Sequence, residues 1–238
     1  TLDINGMDSA YKLSILAYLA FGKFLKPKDI HTEGITHISH QDIEFAEELG
    51  LAIKLLAIAK KNNKEIEARV HPTLIHKDHP LASINGVLNA VLMEADPLGP
   101  VLLSGEGAGQ FAAASGVVSD LINLAKRSRD DAENFIGNNY TETPGLSMRK
   151  IDRISTRFYL RFMAMDKPGI LSQISGVLGK HGISINSVSQ KEQNKTSAVP
   201  VIMLTHCAPE EELRLALDEI YKQSIVKSKP VAIRIENL

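Results

Sequence analysis

Asp166-Lys167-Pro168-Gly169-Ile170-Leu171 is the stretch that decides the fold. Before it, residues 158–165 alternate apolar and polar side chains, as a half-buried strand does. After it, Ile174, Val177 and Leu178 fall at helical spacing. Pro168 suits the first turn of that helix, where a missing N–H costs nothing. Gly182-Ile183-Ser184-Ile185-Asn186 ends the helix and opens a second strand. Residues 198–205 read as a third strand and residues 231–235 as the last. Between those two lies an acidic-faced helix, residues 210–221, with Leu213, Leu215, Leu217 and Ile220 as its apolar positions. The order strand, helix, strand, strand, helix, strand predicts a ferredoxin-like βαββαβ module.

The turn in this stretch has the makings of a ligand site. Gly169 leaves space close to the backbone, and the free N–H groups at the start of a helix can receive a carboxylate. Asp166 and Asn186 can receive an ammonium group. A plainer reading stands level with this one, in which Asp166 caps the helix and Gly169 serves packing. The module resembles the ACT domain, a small regulatory unit that binds amino acids, over essentially all of residues 157–238. That resemblance implies an amino-acid effector, threonine by analogy, bound by Asp166, Gly169 and Asn186. ACT domains also use this surface for pairing with one another.

Working outward, residues 127–156 are rich in charge and turn formers, with Asn138-Asn139 and Pro144-Gly145, and predict a linker without a large core. Upstream, helix-like and strand-like patterns alternate, as in a mixed α/β domain. A helix fits residues 39–49, with Asp42 in its first turn and Gly50 at its end. Residues 51–60 and 66–70 are apolar runs joined by the polar turn Lys61-Asn62-Asn63-Lys64, a hairpin pattern. Two further strands, residues 87–95 and 101–104, flank Asp96-Pro97-Leu98-Gly99-Pro100. The second runs into Gly105-Glu106-Gly107-Ala108-Gly109 and a helix over residues 111–126. A glycine turn between strand and helix can hold a phosphate. Its spacing is not the dinucleotide fingerprint, and a tight turn for packing serves as well. His71, His76 and His79 are scattered over a Pro-containing segment without a carboxylate or thiol to complete a metal-ligand set, so no metal site is expected.

The chain opens on Asp3-Ile4-Asn5-Gly6-Met7-Asp8-Ser9-Ala10-Tyr11-Lys12. Asp8 and Lys12 sit at i and i+4, on one face of the helix that follows. Leu13, Ile15, Leu16, Leu19 and Phe21 are expected to pack that helix into a core. A lysine with carboxylates beside it can act as a positioned proton donor. On spacing alone an ordinary surface ion pair, worth roughly 0.2–0.5 kcal/mol, is the commoner outcome.

The order of residue types at Asp3, Ile4, Gly6, Asp8 and Lys12 resembles the signature of homoserine dehydrogenase. The resemblance continues through His71-Pro72-Thr73-Leu74 and His79-Pro80-Leu81-Ala82. It departs from the family at Ala112-Ala113, where Pro-Thr is usual. It implies that Lys12 is the catalytic proton donor, that Asp3 and Asp8 bind homoserine or aspartate semialdehyde, and that Gly107 and Gly109 face the cofactor, NADP or NAD. The expected organisation is an α/β (α+β) chain. A mixed-sheet substrate domain over residues 1–128 and a linker over 129–156 precede the ferredoxin-like ACT domain at 157–238. The start at Thr1 suggests a preceding nucleotide-binding domain, without which this stretch is expected to be inactive. Exposed sheet edges and the ACT module fit a dimer or tetramer. The competing reading is a non-catalytic amino-acid-sensing regulatory protein. A fused kinase–dehydrogenase parent fits less well, because ACT modules there usually lie between the two catalytic parts.

Composition limits the alternatives. The 238 residues are 44% hydrophobic, enough to fill a core, and the formal net charge is -1, which gives no electrostatic case for nucleic acid or an anionic membrane. No apolar run reaches the length of a membrane span. Cys207 is the single cysteine, which excludes an internal disulfide, fits a reducing cytoplasm, and suggests a small buried filler.

Overall fold

The computed structural model describes residues 2–126, 142–190 and 198–237. In chain order the elements are α1 (Met7–Phe21), β1 (His31–Thr32), α2 (His40–Glu48), β2 (Leu51–Asn62), β3 (Glu65–His76), β4 (Leu88–Ala95), β5 (Gly99–Glu106) and α3 (Gln110–Lys126). They continue with β6 (Ser147–Met148), β7 (Ser155–Met165), α4 (Ile170–Lys180), β8 (Ile185–Gln190), β9 (Ala198–Thr205), β10 (Ala208–Pro209), α5 (Glu210–Lys222) and β11 (Val231–Ile235). The chain divides into two units, residues 1–75 with 143–238, and residues 76–142.

The first unit is built on a mixed sheet in the order β1-β3-β11-β7-β9-β8, with β2 and β6 also on β3 and β10 on β7. Its spine is β3, twelve residues long and almost wholly buried. On one face of β3, Ile66, Ala68 and Val70 pack with Ala10, Leu13 and Ala17 of α1. The strands β11, β7, β9 and β8 with α4 and α5 form the expected βαββαβ module. Phe158, Leu160, Phe162 and Met203 pack there against Ile174, Leu178, Leu213 and Ile220 of its helices. The opposite face of that sheet is also covered: Tyr159, Ile202 and Ile233 cluster with Phe45 and Ala46 of α2. The module's last strand, β11, runs parallel to β3, pairing Arg234 with Thr73 and Ile235 with Leu74.

The segment expected as a linker is partly structured. Residues 127–141 lie outside the described residues, but β6 pairs parallel with the start of β3, and Leu146 and Ile154 are buried. These two apolar side chains suffice because an existing core receives them. The opening helix also differs from expectation. Its buried stripe is Ala10, Leu13, Ser14 and Ala17, while Ile15, Leu16 and Leu19 are exposed. The stripe follows the i, i+3, i+4, i+7 rule with small residues, which let the helix approach the sheet closely.

The second unit holds the antiparallel pair β4–β5, registered from Leu88 opposite Glu106 to Ala95 opposite Gly99, and the helix α3.

Candidate functional site

The opening segment is held by backbone. Gly6 takes a left-handed φ of 81° at the start of α1, and the Asn5 side chain accepts the Met7 N–H at 3.0 Å. Residues 32–35 form a cradle for residues 4–6. The Ile35 N–H donates to the Ile4 carbonyl at 3.0 Å, and the Glu33 N–H donates to the Val70 carbonyl at 2.8 Å. A Cβ at Gly34 would collide with the Ile4 carbonyl and the Asn5 backbone, so only glycine fits there. A Cβ at Gly6 would press on Thr32 and Val70 at 3.1 and 3.2 Å. Sequence reading missed this cradle, because contacts between segments thirty residues apart leave no periodic trace. The unexplained Gly34 was the one available signal.

From this anchored start α1 projects Asp8 and Lys12 on one face. Their side chains meet at 2.7 Å and are 38% and 58% exposed. Such an exposed pair adds little to stability. It leaves the amine open to solvent and to a ligand, with one carboxylate fixing its direction. Asp3 is exposed, and among the described residues its carboxylate pairs with neither Lys12 nor another side chain.

In the second unit the glycine turn leads from β5 into α3, and the first helical bond, from the Ala113 N–H to the Gly109 carbonyl, leaves the preceding N–H groups at the helix start available. Gly109 has a φ of 130°, and nothing lies nearer its missing side chain than the Glu106 carboxylate at 3.9 Å. At Gly107 the space a Cβ would need is filled by the Asn89 side chain. The turn therefore offers main-chain donors to a phosphate from the Gly109 side, whereas the lack of a side chain at Gly107 is explained by packing. Glu106 works against an anion there.

On the ACT-like module, Gly169 sits at the start of α4 with a φ of 88° and open space where a Cβ would lie. Its role is conformational, not close packing. Asp166 makes no capping bond, so the first turn of α4 has no side-chain cap. Asn186 is the extra residue of a β-bulge in β8, between Ile185 and Ser187. Strand register separates it from the other two. Ser187 lies opposite Leu204, which lies opposite Tyr159, whereas Asp166 follows Met165 at the other end of β7. Seven residues of strand span about 23 Å. Asp166 and Gly169 thus share one locus, and the structure does not bring Asn186 to it.

His71 is fully buried, its Nδ1 within 3.0 Å of the Pro72 carbonyl and 2.9 Å of the Thr73 hydroxyl. Burial, followed by the Arg234 and Arg69 charges, pushes its pKa well down, so it stays neutral. His76 is exposed beside Asp78 at 3.3 Å, and His79 accepts the Leu81 N–H at 3.2 Å. Among the described residues no group of potential ligands is placed to hold a metal ion. Cys207 is exposed, contrary to the buried filler expected, because it lies in the turn between β9 and β10.

Comparison with known proteins bears on this arrangement. The homoserine dehydrogenase family model matches residues 1–122, and the ACT domain model matches residues 158–223. The homoserine dehydrogenase of Synechocystis is 42% identical over 98% of this chain and 55% of its own length. That of Pseudomonas aeruginosa is 38% identical over 100% of this chain and 56% of its own. A crystal structure of a homoserine dehydrogenase from Thiobacillus denitrificans superposes with a TM-score of 0.86 at 36% identity, over 99% of this chain and 54% of that one. The chain thus spans about half the length of the curated relatives it matches. No helix among the described residues is long and apolar enough to cross a membrane. With the family's motif on an anchored helix start and an ACT fold built into the same sheet, the chain belongs to the homoserine dehydrogenase family.

Proposed function

We propose that the protein containing this chain interconverts L-homoserine and L-aspartate 4-semialdehyde with NADP or NAD. The single observation that carries the reading is the geometry of the family motif. Gly6 and the 32–35 cradle fix the start of α1, so Asp8 and Lys12 stand together on an open face. In the reducing direction, negative charge develops on the carbonyl oxygen as its carbon receives hydride, and the Lys12 ammonium donates a proton to that oxygen. In the oxidising direction the neutral amine takes the hydroxyl proton. Asp8 holds Lys12 in place, and Asp3, whose carboxylate pairs with no side chain among the described residues, is suited to the substrate ammonium. When bound, the nicotinamide supplies the hydride or accepts it. The contribution of this chain to holding the cofactor is the glycine turn on its Gly109 side, where main-chain N–H groups at the start of α3 suit a phosphate, while the Gly107 N–H is taken by the Val87 carbonyl. The test is NADP+ reduction by the full-length protein with L-homoserine as the only reductant. Turnover supports the reading, and its absence with both NADP+ and NAD+ leaves only an amino-acid sensor.

The ACT module is proposed to sense an amino acid, threonine being the candidate. The uncapped start of α4 suits a carboxylate and Asp166 an ammonium group. Calorimetry with millimolar L-threonine should show heat that disappears in Asp166→Ala, a variant expected to fold because that side chain is exposed and bonds to no other side chain among the described residues. No heat from the unmodified protein would remove threonine as the ligand.

A further inference from the structure

Arg234 lies on β11 with a side chain only 5% exposed. Its guanidinium grips two carboxylates at once. Nε and Nη2 donate to Glu210 at 2.9 and 2.5 Å, and Nη1 and Nη2 donate to Glu33 at 2.9 and 2.8 Å. Glu33 has a second partner in His31, whose Nε2 lies 2.7 Å from Glu33 Oε1. Although burial raises the Glu33 carboxyl, His31 and Arg234 hold it far below the usual carboxylate range. The two-sided fork needs a planar guanidinium, which a lysine cannot reproduce.

The direction in which Glu33 leads gives this clasp its significance. Glu210 belongs to the first turn of α5, within the ACT-like module. Glu33 is instead the one acidic residue of the cradle, and its neighbour Gly34 lies directly against the Ile4 carbonyl. Ile35 bonds the same carbonyl, and two residues beyond it Gly6 opens the helix that carries Asp8 and Lys12. An unbroken run of short contacts therefore joins the last strand of the module to the start of the reactive helix.

We propose that Arg234 is a positioning residue for Lys12: its grip on Glu33 fixes the cradle, and the cradle fixes the angle at which α1 leaves Gly6. The inference rests on the reading of Lys12 as the proton-transfer group. It also makes α5, through Glu210, the element by which a change in the module reaches the reactive amine.

The test uses the full-length protein and the variants Glu33→Gln and Arg234→Lys. Glu33→Gln is the more informative, because it keeps the Arg234–Glu210 pair and so spares the module. With L-homoserine, kcat per folded molecule should fall about tenfold or more, as expected for a displaced catalytic group. KM should stay within about threefold, since substrate binding is not what the clasp controls. A second readout needs no activity: backbone amide exchange over residues 5–12 should be severalfold faster in Glu33→Gln than in the unmodified protein. Unchanged exchange in that segment, or an unchanged kcat in both variants, overturns the proposal. If the unmodified protein does not oxidise homoserine while exchange still accelerates, the dehydrogenase reading fails and the positioning of α1 by Arg234 stands.

Discussion

Asp42 shows how one side chain can serve two elements far apart in sequence. Its carboxylate accepts the Ser39 N–H at 2.9 Å and the Ser39 hydroxyl at 2.6 Å, closing the N-terminal cap of α2. It also accepts Arg161 at 2.6 and 3.0 Å and the Tyr159 hydroxyl at 3.0 Å. Burial pushes its pKa up, yet Arg161 and Ser39 together bring it below the ordinary 3.8. A depressed carboxyl stabilises the fold above its ordinary value and loses that contribution as pH falls. Asp42→Ala would strip the part-buried Arg161 and the buried Tyr159 hydroxyl of their acceptor and α2 of its cap, so equilibrium denaturation should show a loss of about 3 kcal/mol. A loss below about 1 kcal/mol would mean that Arg161 finds water or another acceptor. The cap was legible in the sequence, since Asp42 falls in the first turn after Ser39. Its grip on β7 was not, because partners 117 and 119 residues away share no local pattern with it.

At the scale of elements, α4 and α5 are fastened where the first of them ends. His181 lies between Glu219 at 3.0 Å and Glu212 at 3.3 Å, and Lys180 reaches Glu219 at 2.9 Å. Glu219, more than burial opposes it, raises the His181 pKa above the usual 6.5, with Glu212 assisting. A raised histidine stabilises most fully below its unfolded value and loses that contribution as pH rises through its folded value. Melting temperature followed from pH 6.5 upward should therefore decline more steeply in the unmodified protein than in His181→Gln. Parallel curves would show that the clasp carries no proton linkage. The helices themselves were readable from their apolar spacing. For α1 the buried face was misread because large aliphatic residues were favoured over Ala10, Ser14 and Ala17, the small ones that permit close contact with the sheet.

For the whole molecule, the main departure from expectation is that β11 bonds to β3. Alternation and turn residues gave the strands, and their order gave the βαββαβ module. Neither carries information on which edges of two regions meet, since parallel pairing between distant strands has no turn to mark it. The same limit applies to the candidate site: Asp8 and Lys12 are four residues apart and were visible, whereas Glu33, Gly34 and Arg234 come together only in the folded sheet. The shared sheet places the module's final strand one clasp from the cradle under α1, which is why regulation and proton transfer are proposed within one body. The central claim is that Lys12 moves the proton, and turnover of L-homoserine by the full-length protein carrying Lys12→Ala tests it most directly. A positioned acid or base is worth about 10²–10⁴-fold, so kcat should fall by that factor. Stability should change by less than about 1 kcal/mol, because the lost pair is exposed. A variant that folds and turns over as fast as the unmodified protein would contradict the account.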